Sequence, residues 1–386
     1  MLSETKANIV RATEMVKAYA QELGFDLVGI TSAEPFTATE EITLERVRDG
    51  LMDGLPWYHR ARVMRGCRPQ EMLPGARSII GLGLSYLTED ARNYGNTVRG
   101  RIGRYAWGQD YHKVMEQRMR LFVQGLSERF KNPIHAKIYV DTGPMLDRAV
   151  AERAGVGWYG KNTNILTSSH GSWVFLGQVI TDLGLEPDIS LKKTCGQCTL
   201  CIDQCPMGAI VAPYVIDNTK CISYLTIEGR GPIPRELRPL VGDWVFGCDI
   251  CQDVCPVNRK AHPTREPAFQ AGEHGFSALE LLPLLKMTES EFKEKFRNSP
   301  IRRAQWTGML RNVCVALGNI GDPRTVPALL EALHHDEPLV RGHAAWALGR
   351  LDGPEATGTL EQALAAENDE SVREEFAAVL NLSAER

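Results

Sequence analysis

The chain has 386 residues, of which 43% are apolar and 24% charged, and its formal net charge is −4. This composition is typical of a globular protein with a sizeable core, and no stretch reaches the roughly 18 uncharged apolar residues that a membrane-spanning helix needs. The first residues are charged and helix-like rather than a basic start followed by an apolar run, so we expect a cytoplasmic protein without a signal peptide.

Residues 1–190 alternate helical and strand-like patterns. These patterns are a helical stripe over residues 3–23, buried-strand runs at 25–31, 77–87 and 136–141, a helix from Pro144 to Gly155, and a β-hairpin around His170 and Gly171. Together they predict an α/β domain with mixed strand order. The sequence has neither a G-x-G-x-x-G turn nor a Walker loop, which argues against the nucleotide-binding classes of α/β domain.

A cysteine-rich segment spans residues 191–262 and holds eight of the ten cysteines. Its first run, residues 195–206, is C-x2-C-x2-C-x3-C-P, the bacterial ferredoxin pattern in which the fourth cysteine ligates the other of two clusters. The second run, residues 248–256, is C-x2-C-x3-C-P and lacks its first cysteine, because Val245 stands at that position. Cys221, further upstream, can replace the missing ligand.

Pairing the two runs predicts two [4Fe–4S] clusters. Cluster one takes Cys195, Cys198, Cys201 and Cys255, and cluster two takes Cys205, Cys221, Cys248 and Cys251. Structural zinc sites also use C-x2-C pairs, but two C-x2-C-x3-C-P endings favour iron–sulfur clusters. Two neighbouring clusters conduct single electrons, so the segment needs a redox partner elsewhere in the protein.

The remainder is predicted to be a linker with helices over residues 263–305 and a repeat region over residues 306–386. The copies are residues 310–336, 340–369 and the start of a third at 372–382. The period of about 31 residues predicts HEAT-like helical repeats. In this register Cys314 matches Ala345, a small inward-facing position, so Cys314 is predicted to be a core residue, and the isolated Cys67 is predicted to be structural.

Three sequence blocks ahead of the cysteine runs carry a family likeness. They are LPWYHR (55–60), GRYAWGQDYH (103–112) and VDTGPMLDRAVAERAGVGWYGKN (140–162). With the cysteine spacing they resemble the epoxyqueuosine reductase family over about residues 5–300, and the repeats resemble an extension that some members carry. The resemblance implies an α/β fold, namely an α+β mixed-sheet cobalamin-binding domain, with a ferredoxin-like two-[4Fe–4S] module and a C-terminal α-helical HEAT-like region.

The resemblance also implies the reaction. Epoxyqueuosine at the wobble position of a tRNA anticodon would be reduced to queuosine, with the epoxide oxygen released as water, by cobalamin that the two clusters supply with electrons. Asp141 matches the family's general acid, and it follows an apolar run where the sites of α/β sheets gather. Burial would have to raise the pKa of this carboxyl for it to carry a proton at neutral pH. The alternative is that Asp141 is an N-cap for the helix near Pro144.

The resemblance implies further cobalamin contacts. They are Trp57, Arg104, Asp141, Trp158, Lys161, Asn162 and Ser223. Cobalamin enzymes with a histidine ligand use D-x-H-x-x-G, and Asp110 and His112 match its beginning, but Met115 stands where glycine is required. We therefore expect base-off cobalamin without a protein histidine ligand.

The charge distribution is compatible with a tRNA partner. Residues 312–386 hold 5 basic and 13 acidic side chains, whereas residues 1–311 hold 39 and 35. The predicted tRNA contacts are Arg230, Arg302 and Arg303. We also expect an external one-electron donor of the flavodoxin or ferredoxin type, no membrane partner, and a monomer. Two alternatives stay open, a dehalogenase-like cobalamin reductase of a small molecule and a ferredoxin-type electron-transfer protein.

Overall fold

The structure is a computed structural model that describes residues 6–89, 96–270, 276–351 and 354–384. Within these residues, no helix combines the length and the apolar character needed to cross a membrane. The strands are β1 (Leu27–Ser32), β2 (Ser78–Ser85), β3 (Arg99–Ile102), β4 (Ala136–Tyr139), β5 (Trp158–Tyr159), β6 (Ile165–Leu166), β7 (Val174–Thr181), β8 (Ile210–Ala212), β9 (Val215–Ile216), β10 (Trp244–Phe246) and β11 (Ala278–Glu280).

The helices are interspersed with these strands up to β11 and then follow one another to the end of the described chain. They are α1 (Lys6–Glu22), α2 (Thr37–Arg48), α3 (Arg60–Gly66), α4 (Pro69–Met72), α5 (Tyr111–Phe130), α6 (Asp147–Arg153), α7 (Leu200–Asp203), α8 (Ile222–Ile227), α9 (Arg238–Val241), α10 (Ile250–Asp253), α11 (Leu281–Leu285), α12 (Glu289–Lys295), α13 (Trp306–Ile320), α14 (Val326–Ala332), α15 (Pro338–Leu351), α16 (Pro354–Ala366) and α17 (Glu370–Ala384).

The chain divides into two compact units, each built from segments that are not contiguous in sequence. The first unit comprises residues 1–89, 109–218 and 250–270, and the second comprises residues 90–108, 219–249 and 271–386. The cysteine-rich segment therefore contributes to both units. The sequence predicts four domains that are each continuous in the chain, whereas each compact unit combines separate segments.

The first unit contains a four-stranded sheet in the order β1-β2-β7-β4. All eight residues of β2 are buried, which makes it the centre of the core. On one face, Ile79 and Ile180 pack with Val150 of α6. On the other face, Gly177 leaves room for Met119 of α5, because a Cβ there would lie 2.7 Å from the methionine sulfur. Helices thus pack on both faces of this sheet, and the candidate site begins at the end of its strand β4.

Strand pairing differs from the sequence prediction in two ways. The hairpin predicted around His170 and Gly171 is wrong, because β6 and β7 do not pair with each other. Strand β7 pairs with β2 and β4, and β6 pairs with β5. An isolated bridge between Thr167 and Gly171 is the contact between the two predicted hairpin strands. The apolar run of β7 is long enough to pair with β2 along its full length, and burial there outweighs a local hairpin. All pairings in this sheet are antiparallel, and mixed directions occur instead in the second unit, where β10 is parallel and β11 antiparallel to β3.

The second unit contains that three-stranded sheet and the helices of the repeat region. The first repeat helix, α13, ends at Gly321, whose left-handed backbone (φ 72°) closes the helix as glycine commonly does. Cys314 is fully buried in this helix, and burial raises the pKa of its thiol to about 12. Cys67 is likewise buried in the core of the first unit, with a pKa raised to about 11. The prediction that both cysteines are core residues is confirmed.

Candidate active site

Asp141 lies just beyond the end of β4, on the loop that leads to α6. Its backbone is left-handed (φ 54°), a conformation that asparagine and aspartate tolerate better than most residues other than glycine. The N–H of Thr142 donates to the carbonyl of Val140 at 2.5 Å, which closes a tight turn, and the Asp141 side chain is 48% exposed. Helix α6 begins only at Asp147, with Leu146 at its N-cap, so the alternative prediction that Asp141 caps this helix is wrong.

His112 holds the Asp141 carboxylate. The ring's Nε2 lies 3.3 Å from Asp141 Oδ2, and its Nδ1 lies 2.8 Å from Asp110 Oδ1. Asp110 also accepts the backbone N–H of His112 as the N-cap of α5, so one carboxylate orients both helix and ring. Burial lowers the pKa of His112, but hydrogen bonds to the two carboxylates raise it to about 9 overall. The ring is therefore a cation at neutral pH. The sequence carries no sign of this contact beyond the match of Asp110 and His112 to the start of a histidine-ligand motif.

A second carboxyl, that of Asp147, lies half-buried in the same neighbourhood. Burial, and then the negative charge of Asp141, raise the pKa of Asp147 to about 7, although the Gln178 amide donates a hydrogen bond to this group. Tyr58 is affected by the same charges: burial raises its pKa, Arg148 lowers it, and both carboxyls raise it. A proton can therefore reside on Asp147 near neutral pH. Nothing in the sequence singles out Asp147, because an aspartate in the first turn of a helix is commonly a solvent-facing residue.

Helix α3 holds the loop that carries Asp141. The guanidinium of Arg62 donates to the carbonyls of the two residues after Asp141, at 3.2 and 2.7 Å. Further along the helix, a Cβ on Gly66 would lie 2.0 Å from the carbonyl oxygen of Pro144, so a glycine is required for the loop to approach this closely. The backbone that follows Asp141 is thus tied to α3 at three successive residues.

Two predicted cobalamin contacts are tryptophans of the first unit. Trp57 is half-buried and lies in a stretch that lines a cavity of about 260 Å³, formed by Val47, residues 52–56 and Tyr58. Trp158 is buried, the Lys193 ammonium lies 5.0 Å from its ring centroid, and its Nε1 has no hydrogen-bond partner among the described residues. Because buried polar groups are nearly always hydrogen-bonded, this N–H is available as a donor to a ligand.

Lys161 and Asn162, two further predicted cobalamin contacts, bind the backbone of the cysteine runs. Lys161 Nζ donates to the carbonyl of Gly196 at 2.7 Å, and the buried Asn162 amide donates to the carbonyl of Cys251 at 3.2 Å. The adjacent Thr163 has φ 66°, an outlier for a β-branched residue and a sign of strain. The loop between β5 and β6 is therefore tied to both runs.

The thiols predicted for cluster one lie close enough together for their charges to influence one another. These are the thiols of Cys195, Cys198, Cys201 and Cys255, all half-buried. Burial raises the pKa of Cys201, and the charges of the other three thiolates raise it further. Burial also raises the pKa of Cys255, against hydrogen bonds from the backbone N–H groups of Val257 and Asn258. No group of three or more His, Cys, Asp or Glu side chains in the described ranges is arranged to hold a metal ion. A [4Fe–4S] cluster needs a different arrangement of ligands from a single metal ion, because each of its irons binds a separate thiolate.

The remaining predicted ligands belong to different units. Cys205 and Cys251 lie in the first unit, and Cys221 and Cys248 lie in the second. Two predicted cobalamin contacts also lie in the second unit: the Arg104 backbone N–H donates to Asp249 Oδ2 at 2.7 Å, and Ser223 lies in the first turn of α8.

The arginines predicted to contact tRNA lie in the second unit. Arg302 is exposed on the short turn before α13. Arg230 and Arg303 both pair with Glu228, which Arg230 approaches to 3.5 Å. The shared carboxylate holds these two guanidiniums near each other, with part of each side chain at the surface.

Comparison with known families agrees with this arrangement. A family model described as Epoxyqueuosine reductase QueG, DUF1730, matches residues 67–142. A 4Fe-4S double cluster binding domain matches residues 194–258, and HEAT repeats match residues 308–381. The three matches follow one another along the chain in the order that the sequence predicts.

Individual relatives are similar over nearly the whole chain. The epoxyqueuosine reductase of Pseudomonas aeruginosa is 41% identical over 351 residues, which is 88% of this chain and 94% of the relative. A crystal structure of epoxyqueuosine reductase with an epoxyqueuosine-modified tRNA-Tyr stem loop has a TM-score of 0.90 at 35% identity, covering 97% of this chain and 99% of the other. A Bacillus subtilis epoxyqueuosine reductase, whose catalytic aspartate loop is swung out of the active site, has a TM-score of 0.89 at 34% identity, covering 96% and 99%.

Proposed function

The chain belongs to the epoxyqueuosine reductase family, and on that premise we propose that it reduces epoxyqueuosine in tRNA to queuosine. The observation that carries this function is the match over 97% of the chain to a relative solved with its modified tRNA stem loop. The small-molecule reductase and the simple electron-transfer protein are not favoured, because the relatives that match nearly the whole chain are epoxyqueuosine reductases.

The reaction needs two electrons and two protons. Both C–O bonds of the epoxide break, a C=C bond forms, and the oxygen leaves as water. We assign Asp141 to delivering a proton to the departing oxygen, since it is half exposed and lies on a loop that α3 holds. Its carboxylate is ionised beside the His112 cation, so the proton that it delivers is the one held on His112 Nε2, within hydrogen-bond reach of Asp141 Oδ2.

Cobalamin fits the polar groups of the first unit. The buried indole N–H of Trp158 is a donor without a partner among the described residues, and Trp57 stands between Pro56 and Tyr58, which line a cavity. We propose that these tryptophans and Asp141 would hold the group. When bound, cobalamin supplies a cobalt centre that passes electrons from the clusters to the substrate. Lys161 and Asn162 bind the cysteine runs, and we assign them to positioning those runs. Arg104 and Ser223 stay predicted contacts.

Two [4Fe–4S] clusters would supply the electrons one at a time. The mutual influence of the cluster-one thiols supports the proposed set of Cys195, Cys198, Cys201 and Cys255. The second set, Cys205, Cys221, Cys248 and Cys251, follows from the spacing of the runs. We further propose a flavodoxin- or ferredoxin-type donor and a monomeric enzyme, with Arg230, Arg302 and Arg303 on tRNA phosphates.

The test is turnover on the modified tRNA. The protein, loaded anaerobically with iron, sulfide and cobalamin, is given a chemical reductant and tRNA that carries epoxyqueuosine. Nucleoside mass spectrometry should then detect loss of one oxygen atom and formation of queuosine. Unchanged epoxyqueuosine with a fully loaded protein, together with consumption of a small halogenated substrate, would support the small-molecule alternative instead.

A further inference from the structure

Residues 222–247 join Cys221 to Cys248 and are called the linking segment below. The segment contains α8, α9 and β10. Its two ends are tied together, since the hydroxyl oxygen of Thr226 accepts the backbone N–H of Gly247 at 2.9 Å. The positions of both cysteines therefore depend on the shape of this segment.

The first two repeats bind the linking segment with buried side chains at the same repeat position. Asn312 of α13 is fully buried, and its amide donates to the carbonyls of Thr226 and Val245 at 2.8 and 2.9 Å. His343 of α15, 31 residues later, accepts the backbone N–H of Ile233 at 3.2 Å through its Nε2. Together these contacts reach three separate points of the segment.

The third repeat makes an ion pair from the equivalent position. Glu375 of α17 lies 32 residues after His343. Its carboxylate accepts two hydrogen bonds from the buried Arg238 of the segment, at 2.6 and 3.0 Å, and a third from Arg235 at 2.7 Å. Three successive repeats thus bind one segment through one position each.

Arg311, next to Asn312, adds a buried cation. Its side chain is 1% exposed, and its guanidinium donates to the carbonyls of Leu225, Gly229 and Gly231 at 2.5, 2.8 and 2.6 Å. Burying a charge is costly unless hydrogen bonds compensate, and the stacking of helical repeats requires only apolar contacts. The buried polar groups of α13 are therefore explained by the backbone that they bind.

We infer that the C-terminal repeats hold the linking segment in the shape that presents Cys221 and Cys248 to the second cluster. Asn312, His343 and Glu375 are the positioning residues, and the contacts of Arg311 add to theirs. The inference rests on the proposed two-cluster function. Its physical reason is that cluster ligands on long loops require a supporting shell that fixes their geometry before the cluster binds.

The test compares iron content and electron paramagnetic resonance (EPR) spectra of anaerobically loaded, full-length variants. The parent should hold about eight irons per chain. Asn312→Leu keeps the size of the side chain and removes both hydrogen bonds to the linking segment, together with the two that the amide oxygen accepts from Arg311. Iron should therefore fall to about four, with one reduced-cluster signal lost and the other unchanged. Cys221→Ala provides the reference spectrum for loss of the second cluster. Asn381→Leu, the same change on the exposed face of α17, should behave like the parent.

Glu375→Gln keeps the inference testable if Asn312→Leu fails to fold, because the change is conservative and partly exposed. It should fold, and a chelator should remove its second-cluster iron roughly tenfold faster than from Asn381→Leu. Parent-like iron and chelation rates in the folded variants would overturn the inference, and so would equal loss from both clusters. A loaded parent that lacks two clusters would instead contradict the proposed function.

Discussion

Asp141 combines a strained backbone with a carboxylate that a charged histidine holds. A left-handed residue other than glycine costs roughly 1–3 kcal/mol, and such strain persists only where the surroundings impose it. Here the hydrogen bond from His112 and the contacts of α3 impose it. The strained backbone is therefore part of how the loop positions the Asp141 carboxylate.

Asp141→Asn should abolish most turnover without disturbing the loop. Asparagine tolerates the left-handed backbone and keeps much of the hydrogen bonding, but it cannot give up a proton. General acid catalysis contributes typically about 10²–10⁴-fold, so the rate of epoxyqueuosine reduction should fall by that order. Iron and cobalamin content, measured on the same sample, should match the parent. A variant that turns over at the parent rate would remove Asp141 from the mechanism.

The charge of His112 predicts a pH limit on the alkaline side. The pKa of this ring is raised from 6.5 to about 9, so its ion pairs with the two carboxylates contribute fully below about pH 6.5 and are lost as the pH rises through about 9. The rate of reduction should fall over the same range. His112→Gln should be slower and should lack this fall, as a pH–rate profile of both proteins would determine. An identical alkaline limb in the variant would contradict the assignment.

The raised pKa of Asp147 predicts that the folding stability of the protein depends on pH. Since its pKa is raised from 3.8 to about 7, the folded protein binds this proton more tightly than the unfolded chain does. The free energy of unfolding should therefore fall as the pH rises from about 4 to about 7, by on the order of a few kcal/mol. Asp147→Asn should lose this part of the dependence and be more stable than the parent at pH 8. Denaturant unfolding at pH 5.5 and pH 8 measures both slopes, and equal slopes would refute the prediction.

Among the elements, α3 is expected to act on the chemistry through the loop that carries Asp141. Arg62→Ala removes the two hydrogen bonds to the loop carbonyls, and small displacements of a reacting group can cost on the order of 10²-fold. We expect kcat to fall roughly 10–100-fold with KM for the tRNA unchanged. Arg60→Ala, an exposed arginine of the same helix, is the matched control. A fall in both variants, or a change in KM alone, would assign Arg62 to tRNA binding instead.

Local spacing explains which elements could be predicted from the sequence. The cysteine runs, the repeats and the strand before Asp141 depend on residues close together in the chain, and their patterns were sufficient. The hairpin prediction failed because β7 pairs with strands more than thirty residues away. The contact of His112 with Asp141, 29 residues apart, likewise depends on the sheet and has no local pattern. Lys161 and Asn162 matched a family block, but only the structure gives them partners.

For the whole molecule, the uneven charge predicts salt-sensitive tRNA binding. Each phosphate neutralised by an arginine releases counterions, so log K should fall linearly with log salt, with a slope of about −0.7 to −0.9 per contact. Arg302→Ala should reduce the magnitude of this slope by about one contact. Arg350→Ala, an exposed arginine of the repeats, should leave it unchanged. Filter binding across a salt series measures both, and a flat profile for the parent would contradict phosphate recognition.

The linking segment also has a consequence for how the enzyme is made. A ribosome synthesises Cys221 and Cys248 well before the helices that bind the segment between them, since Asn312, His343 and Glu375 come from the last quarter of the chain. Domains generally fold as units during synthesis, and here the segment's partners emerge well after the segment itself. The second cluster would therefore be inserted only after translation of α17, which carries Glu375, whereas all four ligands of the first cluster have been synthesised once Cys255 is made.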